Sequence, residues 1–74
     1  MIVTVSAGAW ARRYIDAFIE IELPDEGTVA DLLKQLTLPA DEIGLIAVNG
    51  HASDRSQPLG DGDQVKLFPV IIGG

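Results

Sequence analysis

Apolar and polar residues alternate in two early segments of the chain, residues 1–6 and 17–23. This is the period-two pattern of β-strands that bury one face. Ile2 and Phe18 occupy the outward positions of these strands, beside polar neighbours. The inward positions hold Met1, Val3, Val5, Ile19, Ile21 and Leu23. The segment between them, residues 10–16, fits either a loop or a single helical turn.

A helix is predicted after the second strand. Thr28 is a favourable N-cap, and Asp31 stands at the third helical position, where its carboxylate can complete a capping box. The residue before a proline is pushed out of the α-region, so Leu38-Pro39 is expected to end the helix. The apolar stripe of this helix consists of Val29, Leu32, Leu33 and Leu36.

The second half of the chain predicts three more strands. Residues 44–48 are nearly all apolar, which is typical of a strand well inside a sheet. Asn49-Gly50 favours a tight hairpin turn, because both residues tolerate positive φ. The remaining segments are a short edge strand within residues 51–57, a tight loop at 58–63 anchored by Leu59, and a last strand at 64–68.

One helix can cover only one face of the small mixed sheet that these elements form. Phe18 and Phe68 have outward parity in their strands, as does Ile2. On the uncovered face they would form an exposed apolar patch of the kind that marks an interaction site. The alternative is ordinary scatter of surface apolar residues.

The end of the sequence is apolar and then lacks side chains. Pro69 interrupts the strand pattern, because it donates no ladder hydrogen bond, and Gly73-Gly74 follow. Two glycines give a slender backbone that can enter a slot where any Cβ would clash. Between them lie Val70, Ile71 and Ile72. These either extend the last strand, or Ile71 packs on the body while Val70 and Ile72 contact a partner.

Composition restricts the chemistry. The 74 residues have 11 acidic and 5 basic side chains, a net charge of −6, which opposes binding to nucleic acid or anionic membranes. The chain has no cysteine, so it has neither a disulfide nor a side-chain thiolate. It shows no basic leader segment and no apolar run of membrane-spanning length, so a cytoplasmic location is expected.

Three motifs follow one another in the second half of the chain. They are Ala47-Val48-Asn49-Gly50, the loop and strand from Leu59 to Pro69 with Asp61-Gly62-Asp63 in the loop, and the final Gly73-Gly74. Together they resemble the MoaD/ThiS family of ubiquitin-like sulfur carriers. The resemblance covers the whole chain and implies an α+β β-grasp fold, one domain over residues 1–74 with 69–74 as an extended tail.

The resemblance also implies a reaction and its partners. An E1-like adenylyltransferase would use ATP to adenylate the carboxylate of Gly74, and Gly73 is the slim residue behind it. A sulfur donor of cysteine desulfurase or rhodanese type would convert the adenylate into a thiocarboxylate. A molybdopterin synthase large subunit, or an analogous acceptor enzyme, would receive the sulfur. The partner-binding residues would be Phe18, Phe68, Pro69, Val70, Ile71 and Ile72, and the chain itself would bind no cofactor or metal.

The tail leaves the pathway open. Phe68-Pro69 favours the molybdopterin branch, whose tails commonly read Phe-Pro-Pro-Val before a small residue and Gly-Gly. Here Val70 replaces the second proline and Ile72 replaces the small residue. The alternatives are a carrier for thiamine thiazole or tungsten-cofactor synthesis, a modifier conjugated through Gly74, and an interaction module without terminal chemistry.

Other polar residues are given structural interpretations. His51 has no carboxylate or cysteine constellation beside it and is interpreted as a turn residue. Asp61 and Asp63 provide too few ligands for a calcium site and suit turn chemistry instead. Arg12-Arg13 could meet a phosphate or an acidic partner, but a solvated loop is the simpler interpretation.

Overall fold

The computed structural model describes residues 1–71, and it contains five strands and one α-helix in the predicted order. The elements are β1 (Ile2–Ala7), β2 (Phe18–Glu22), α1 (Val29–Gln35), β3 (Ile43–Val48), β4 (His51–Ser53) and β5 (Gln64–Pro69). Two short 3-10 turns, Ala9–Ala11 and Ala40–Glu42, precede β2 and β3, so the ambiguous segment after β1 includes a single helical turn.

The five strands form one mixed sheet in the order β2-β1-β5-β3-β4. β1 and β5 run parallel at the centre, and every other neighbouring pair is antiparallel. The last strand in the chain is therefore the middle strand of the sheet. The segment that follows β5 therefore leaves from the central strand of the sheet. This sheet with its one helix is the predicted β-grasp arrangement, and that prediction is confirmed.

The core lies between α1 and one face of the sheet. Val3 and Val5 of β1 and Leu67 of β5 are at most 1% exposed, as their inward parity predicts. Leu32 of α1 is fully buried against them. The opposite face carries no helix in the described part of the chain, and its apolar side chains contact water.

The helix begins as predicted and ends earlier. The Thr28 backbone N–H donates to Asp31 Oδ2 at 2.9 Å, and the Asp31 N–H donates to Thr28 Oγ1 at 3.4 Å, which completes the capping box. The expected end at Leu38-Pro39 is wrong, because α1 ends at Gln35 and Leu36 is already extended. Extended backbone lets Leu36 and Leu38 both point into the core. No helix in residues 1–71 combines the length and apolar character needed to cross a bilayer.

β3 lies inside the sheet, between β5 and β4, but it is not buried on both faces. Leu45 is 49% exposed, because the face without a helix is open to water. The Asn49-Gly50 turn joins β3 to β4 with φ values of 51° and 85°, the left-handed pair that the sequence predicts. Leu59 is 5% exposed and anchors its loop as expected.

Candidate functional site

Phe18 and Phe68 lie at the same end of the face that has no helix. Ser6 of β1 is paired with Phe18 on one side and with Lys66 on the other, so strand register brings the two aromatic residues to one concavity. We call this concavity of about 430 Å³ the aromatic groove. Its lining residues include Ser6, Trp10, Arg12, Phe18, Lys66 and Phe68.

The exposure of the groove residues agrees with the outward parity that their sequence positions predict. Phe18 is 73% exposed and Phe68 is 37% exposed. Ile2 is on the same face and is 48% exposed, but it pairs with Glu22 at the opposite end of β1. Four residues along a strand correspond to about 13 Å. Ile2 is therefore exposed on the predicted face but lies outside the aromatic groove.

Two groove residues come from the 3-10 turn after β1, and strand periodicity does not reveal them. Trp10 is half-buried against the core and forms one wall. The Arg12 guanidinium donates to the carbonyl oxygens of Ala7 at 3.0 Å and Gly8 at 3.2 Å. Arg12 is thus held at the end of β1, where the simpler sequence interpretation made it part of a solvated loop.

The groove has an apolar floor and two basic side chains at its edge. Lys66 projects from the same face of β5 as Phe68, two residues before it, and has no carboxylate within salt-bridge distance among residues 1–71. The described ion pair joins the N-terminal ammonium to Asp25. On a chain with net charge −6, Arg12 and Lys66 give the groove a local charge opposite to that of the whole protein.

The root of the tail differs from the prediction. Pro69 is the last residue of β5 and is paired with Ile43, so the expected start of an extended tail at position 69 is wrong. The Val70 N–H donates to the Glu42 carbonyl at 3.2 Å and carries the contact with β3 one residue further. Val70 is 43% exposed and Ile71 is 90% exposed, so Ile71 does not pack on the body.

A proline is tolerated near the end of this central strand because the neighbouring strand β1 has already ended there. β1 pairs with β5 only as far as Ala7, which lies opposite Leu67. Successive backbone N–H groups of a strand point to opposite sides, and Val70 donates toward β3. The nitrogen of Pro69 therefore faces the side where β1 is absent, and no ladder hydrogen bond is lost.

The motif residues of the C-terminal half hold β5 in register. Asn49 Nδ2 donates to Asp63 Oδ1 at 2.9 Å, and Asn49 Oδ1 accepts the Gln64 N–H at 2.9 Å. Asp61 Oδ1 accepts the Ile2 N–H at 2.7 Å, and Asp63 Oδ2 accepts the Gly60 N–H at 2.7 Å. These bonds fasten the loop before β5 to both neighbouring strands, so the motif fixes the strand that leads to the tail.

The aspartates and the histidine considered from the sequence have structural positions in the described part of the chain. Asp61 and Asp63 are occupied by turn hydrogen bonds, and residues 1–71 contain no group of three metal-ligating side chains. His51 is the first residue of the edge strand β4 and is exposed. Ile72, Gly73 and Gly74, which carry the predicted chemistry, lie outside the described residues. What the described residues supply is an apolar groove beside the root of the tail.

Comparison with known proteins identifies the family. The model of the ThiS family matches residues 9–74, which include Trp10, Phe18 and Phe68 of the aromatic groove, the turn and loop motifs and both terminal glycines. None of the curated proteins matches the chain. The resemblance noted from the sequence motifs is therefore confirmed at the level of the family.

Solved structures share the fold over the whole chain. SAMP1 from Haloferax volcanii aligns with a TM-score of 0.78 over 100% of both chains at 19% identity, which shows the fold alone. The putative molybdopterin converting factor subunit 1 from Pyrococcus furiosus is 29% identical, with a TM-score of 0.76 over 96% of this chain and 99% of that chain.

A third structure is a complex. A chain of the protein-protein complex of subunits 1 and 2 of Molybdopterin-converting factor from Helicobacter pylori is 25% identical and aligns with a TM-score of 0.69 over 100% of both chains. Family match and fold agree along the chain. The protein belongs to the ThiS family and has a ubiquitin-like β-grasp fold.

Proposed function

We propose that the protein is a sulfur carrier whose reactive group is the carboxylate of Gly74. A carboxylate is a poor electrophile, because its leaving group would be an oxide. Attack of a carboxylate oxygen on the α-phosphate of ATP releases pyrophosphate and gives an acyl-adenylate, whose leaving group is AMP. A chain without cysteine can store sulfur in this way, on its own backbone terminus.

The second step places sulfur on Gly74. The terminal sulfur of a persulfide on the donor attacks the acyl carbon and expels AMP, which leaves an acyl disulfide between carrier and donor. A thiolate then attacks the donor's sulfur, so the carrier leaves as a thiocarboxylate and the two thiols end as a disulfide. An E1-like adenylyltransferase supplies the ATP site and charge stabilisation, which a chain lacking a phosphate-binding loop requires.

The observation that supports this proposal best is the position of the aromatic groove. Phe68 lies in the groove and is followed at once by Pro69 and the exposed Val70 and Ile71. A partner that covers Phe18 and Phe68 thereby contacts the strand from which the tail emerges. Docking on the body and delivery of the terminus become one binding event, as a carrier requires.

The charges of the groove indicate the kind of surface that binds it. Arg12 and Lys66 flank an apolar floor, so the complementary partner surface presents apolar side chains next to carboxylates. The acidic remainder of the chain, with a net charge of −6 overall, favours a basic periphery around that contact. The same groove would serve the adenylating enzyme and the acceptor enzyme in turn, because the tail has one root.

For the acceptor we favour an enzyme of the molybdopterin synthase large-subunit type. Phe68-Pro69 fits that branch, and the Helicobacter pylori neighbour is a complex of two subunits of molybdopterin-converting factor. Delivery to thiamine thiazole synthesis is the second candidate, because the matching family is ThiS. Deleting the gene in its native host separates them: growth dependent on thiamine supports the second, and loss of molybdenum- or tungsten-enzyme activity supports the first.

Intact-mass spectrometry of the protein purified from its native host tests the terminal chemistry. A thiocarboxylate raises the mass by the difference between a sulfur and an oxygen atom, and the increase disappears when the adenylating enzyme is deleted. A variant lacking Gly74 is the control and should show no such species. Higher-mass conjugates that require Gly74 would instead make the protein a modifier. Unmodified protein in cells that are making the cofactor would refute both.

A further inference from the structure

Gly44 is set apart from the other glycines of the described chain by how closely the tail root passes it. A Cβ built on Gly44 would lie 2.6 Å from the Pro69 carbonyl oxygen and 2.9 Å from Val70 Cα. Both atoms belong to backbone, so no side-chain rotation relieves the clash. Gly50 and Gly62 differ, because they have positive φ and nothing lies within 4 Å of an added Cβ.

The close approach results from an irregularity where β3 meets β5. Ile43 pairs with Pro69 and Leu45 pairs with Phe68, so Gly44 is the extra residue of a β-bulge. A bulge bends its own strand and increases the local twist of the strand pair. Here the bulge lies beside the last pair of β5, at the point where the chain becomes the tail.

Glu42 holds the tail root by its backbone and is itself held by its side chain. Its carbonyl accepts the Val70 N–H at 3.2 Å, and its Oε2 accepts the Tyr14 hydroxyl at 2.7 Å. The bond that Tyr14 donates to this carboxylate raises the pKa of the tyrosine. Tyr14 is half-buried against the core and connects the tail root to the body.

No other strand in the described chain borders the tail root. β1 ends at Ala7, opposite Leu67, two residues before Pro69. The direction in which Val70 and Ile71 leave the sheet is therefore set by the start of β3 and the turn before it, through the space above Gly44 and the Glu42 carbonyl.

We propose that Gly44 and Glu42 form a guide that sets the angle at which the tail leaves the sheet, which makes Gly44 a positioning residue for the adenylation of Gly74. This inference rests on the proposed carrier function. Gly44 contacts neither ATP nor the reacting carboxylate; it acts through the backbone of Pro69 and Val70. Any side chain at position 44 would displace the Pro69–Val70 backbone and redirect the terminus. Of the residues that line the aromatic groove, Pro69 is the one whose atoms are among the three nearest to an added Cβ.

The size of the effect follows from the distances. An alanine at position 44 must move the Pro69 carbonyl by about 0.8 Å to bring the contact from 2.6 Å to an ordinary 3.4 Å. A misplacement of about 1 Å at a reacting group can cost on the order of 100-fold in rate. We expect Gly44→Ala to lower kcat for adenylation at least about tenfold and to change Kd for the enzyme less than about twofold.

The experiment uses the full chain and the purified E1-like enzyme of the same organism, with ATP–pyrophosphate exchange for kcat and calorimetry for Kd. Gly60→Ala is the matched control, because a Cβ there meets its nearest described atom at 3.8 Å. It should behave as wild type in both assays. Hydrogen exchange at the Val70 amide reports the guide directly and should accelerate in Gly44→Ala but not in Gly60→Ala.

Three results would overturn the guide: unchanged kcat in Gly44→Ala, a loss of affinity that accounts for the whole loss of rate, or a Val70 amide protected as in wild type. If Gly44→Ala does not fold, the Tyr14→Phe variant tests the guide instead, because it removes only the hydroxyl that donates to Glu42. It should accelerate Val70 exchange and lower kcat at unchanged Kd, and wild-type behaviour refutes the guide. Failure of wild-type protein to be adenylated would refute the carrier function instead.

Discussion

A substitution at Phe18 should weaken partner binding strongly and change the stability of the free protein little. An aromatic side chain offers roughly 150–250 Å² of surface. With Phe18 73% exposed, about 150 Å² remains available to a partner. At roughly 25 cal/mol per Å², complete coverage would contribute about 3 to 4 kcal/mol to binding. The side chain contributes little to the free protein, because so much of it is in water.

We therefore expect Phe18→Ala to weaken binding to the E1-like adenylating enzyme by at least about 2 kcal/mol, or roughly 30-fold in Kd. The free energy of unfolding should fall by less than about 1 kcal/mol. Phe68 is 37% exposed, so its truncation removes less partner contact and more internal packing. Titration calorimetry gives Kd, and urea denaturation gives stability on the same preparations.

Ile2→Ala is the matched control for this prediction. Ile2 is 48% exposed on the same sheet face but pairs with Glu22, away from the groove. Its Kd should stay within about twofold of wild type. A Phe18→Ala protein that is folded and binds within about threefold of wild type would refute the groove as the docking site. Equal losses of affinity for Phe18→Ala and Ile2→Ala would show that the partner binds the whole sheet face and not the groove in particular.

Three further predictions concern the platform that presents the groove. Leu32→Ala should cost about 2 to 5 kcal/mol in urea denaturation, because the side chain is fully buried in a small core. Gly50→Ala should cost about 1 to 2 kcal/mol in the same assay, because φ is 85° there; Gly60→Ala should be neutral. Hydrogen bonds from Thr28 lower the pKa of Asp31 in the folded protein. The ionised Asp31 carboxylate therefore stabilises the fold fully above the pKa of an unfolded aspartate, about 3.9. This stabilisation is lost as the pH falls through the lower pKa of the folded state. The difference in thermal midpoint between wild type and Asp31→Asn should therefore shrink below about pH 4.

Much of the fold could be predicted because its determinants are local. The outward parity of Phe18 and Phe68 follows from a two-residue period that every strand obeys, and the structure places both side chains accordingly. The capping box of Thr28 and Asp31 is a contact between residues three apart. Neither inference requires knowledge of which strands are neighbours.

The features missed by sequence analysis depend on contacts between distant segments. Gly44 looks like an ordinary strand glycine until the backbone of Pro69 is placed beside it. The bond from Tyr14 to Glu42 joins residues 28 apart in the chain. Pro69 was expected to begin the tail, and it remains in β5 only because β1 has already ended on that side. Strand order decides each of these, and strand order is not a local property.

The exposed tail root adds a physical reason to expect successive partners. Val70 is 43% exposed and Ile71 is 90% exposed, directly after a central strand and beside an apolar groove. Covering these side chains together with Phe18 removes apolar surface from water, which favours binding by any enzyme that accepts the tail. Because the adenylating and acceptor enzymes would bury the same surface, they must compete for the carrier. Sulfur transfer would then require that the carrier leave the adenylating enzyme before it binds the acceptor enzyme. The acceptor could select the sulfur-loaded carrier by the chemical state of Gly74, a carboxylate or a thiocarboxylate.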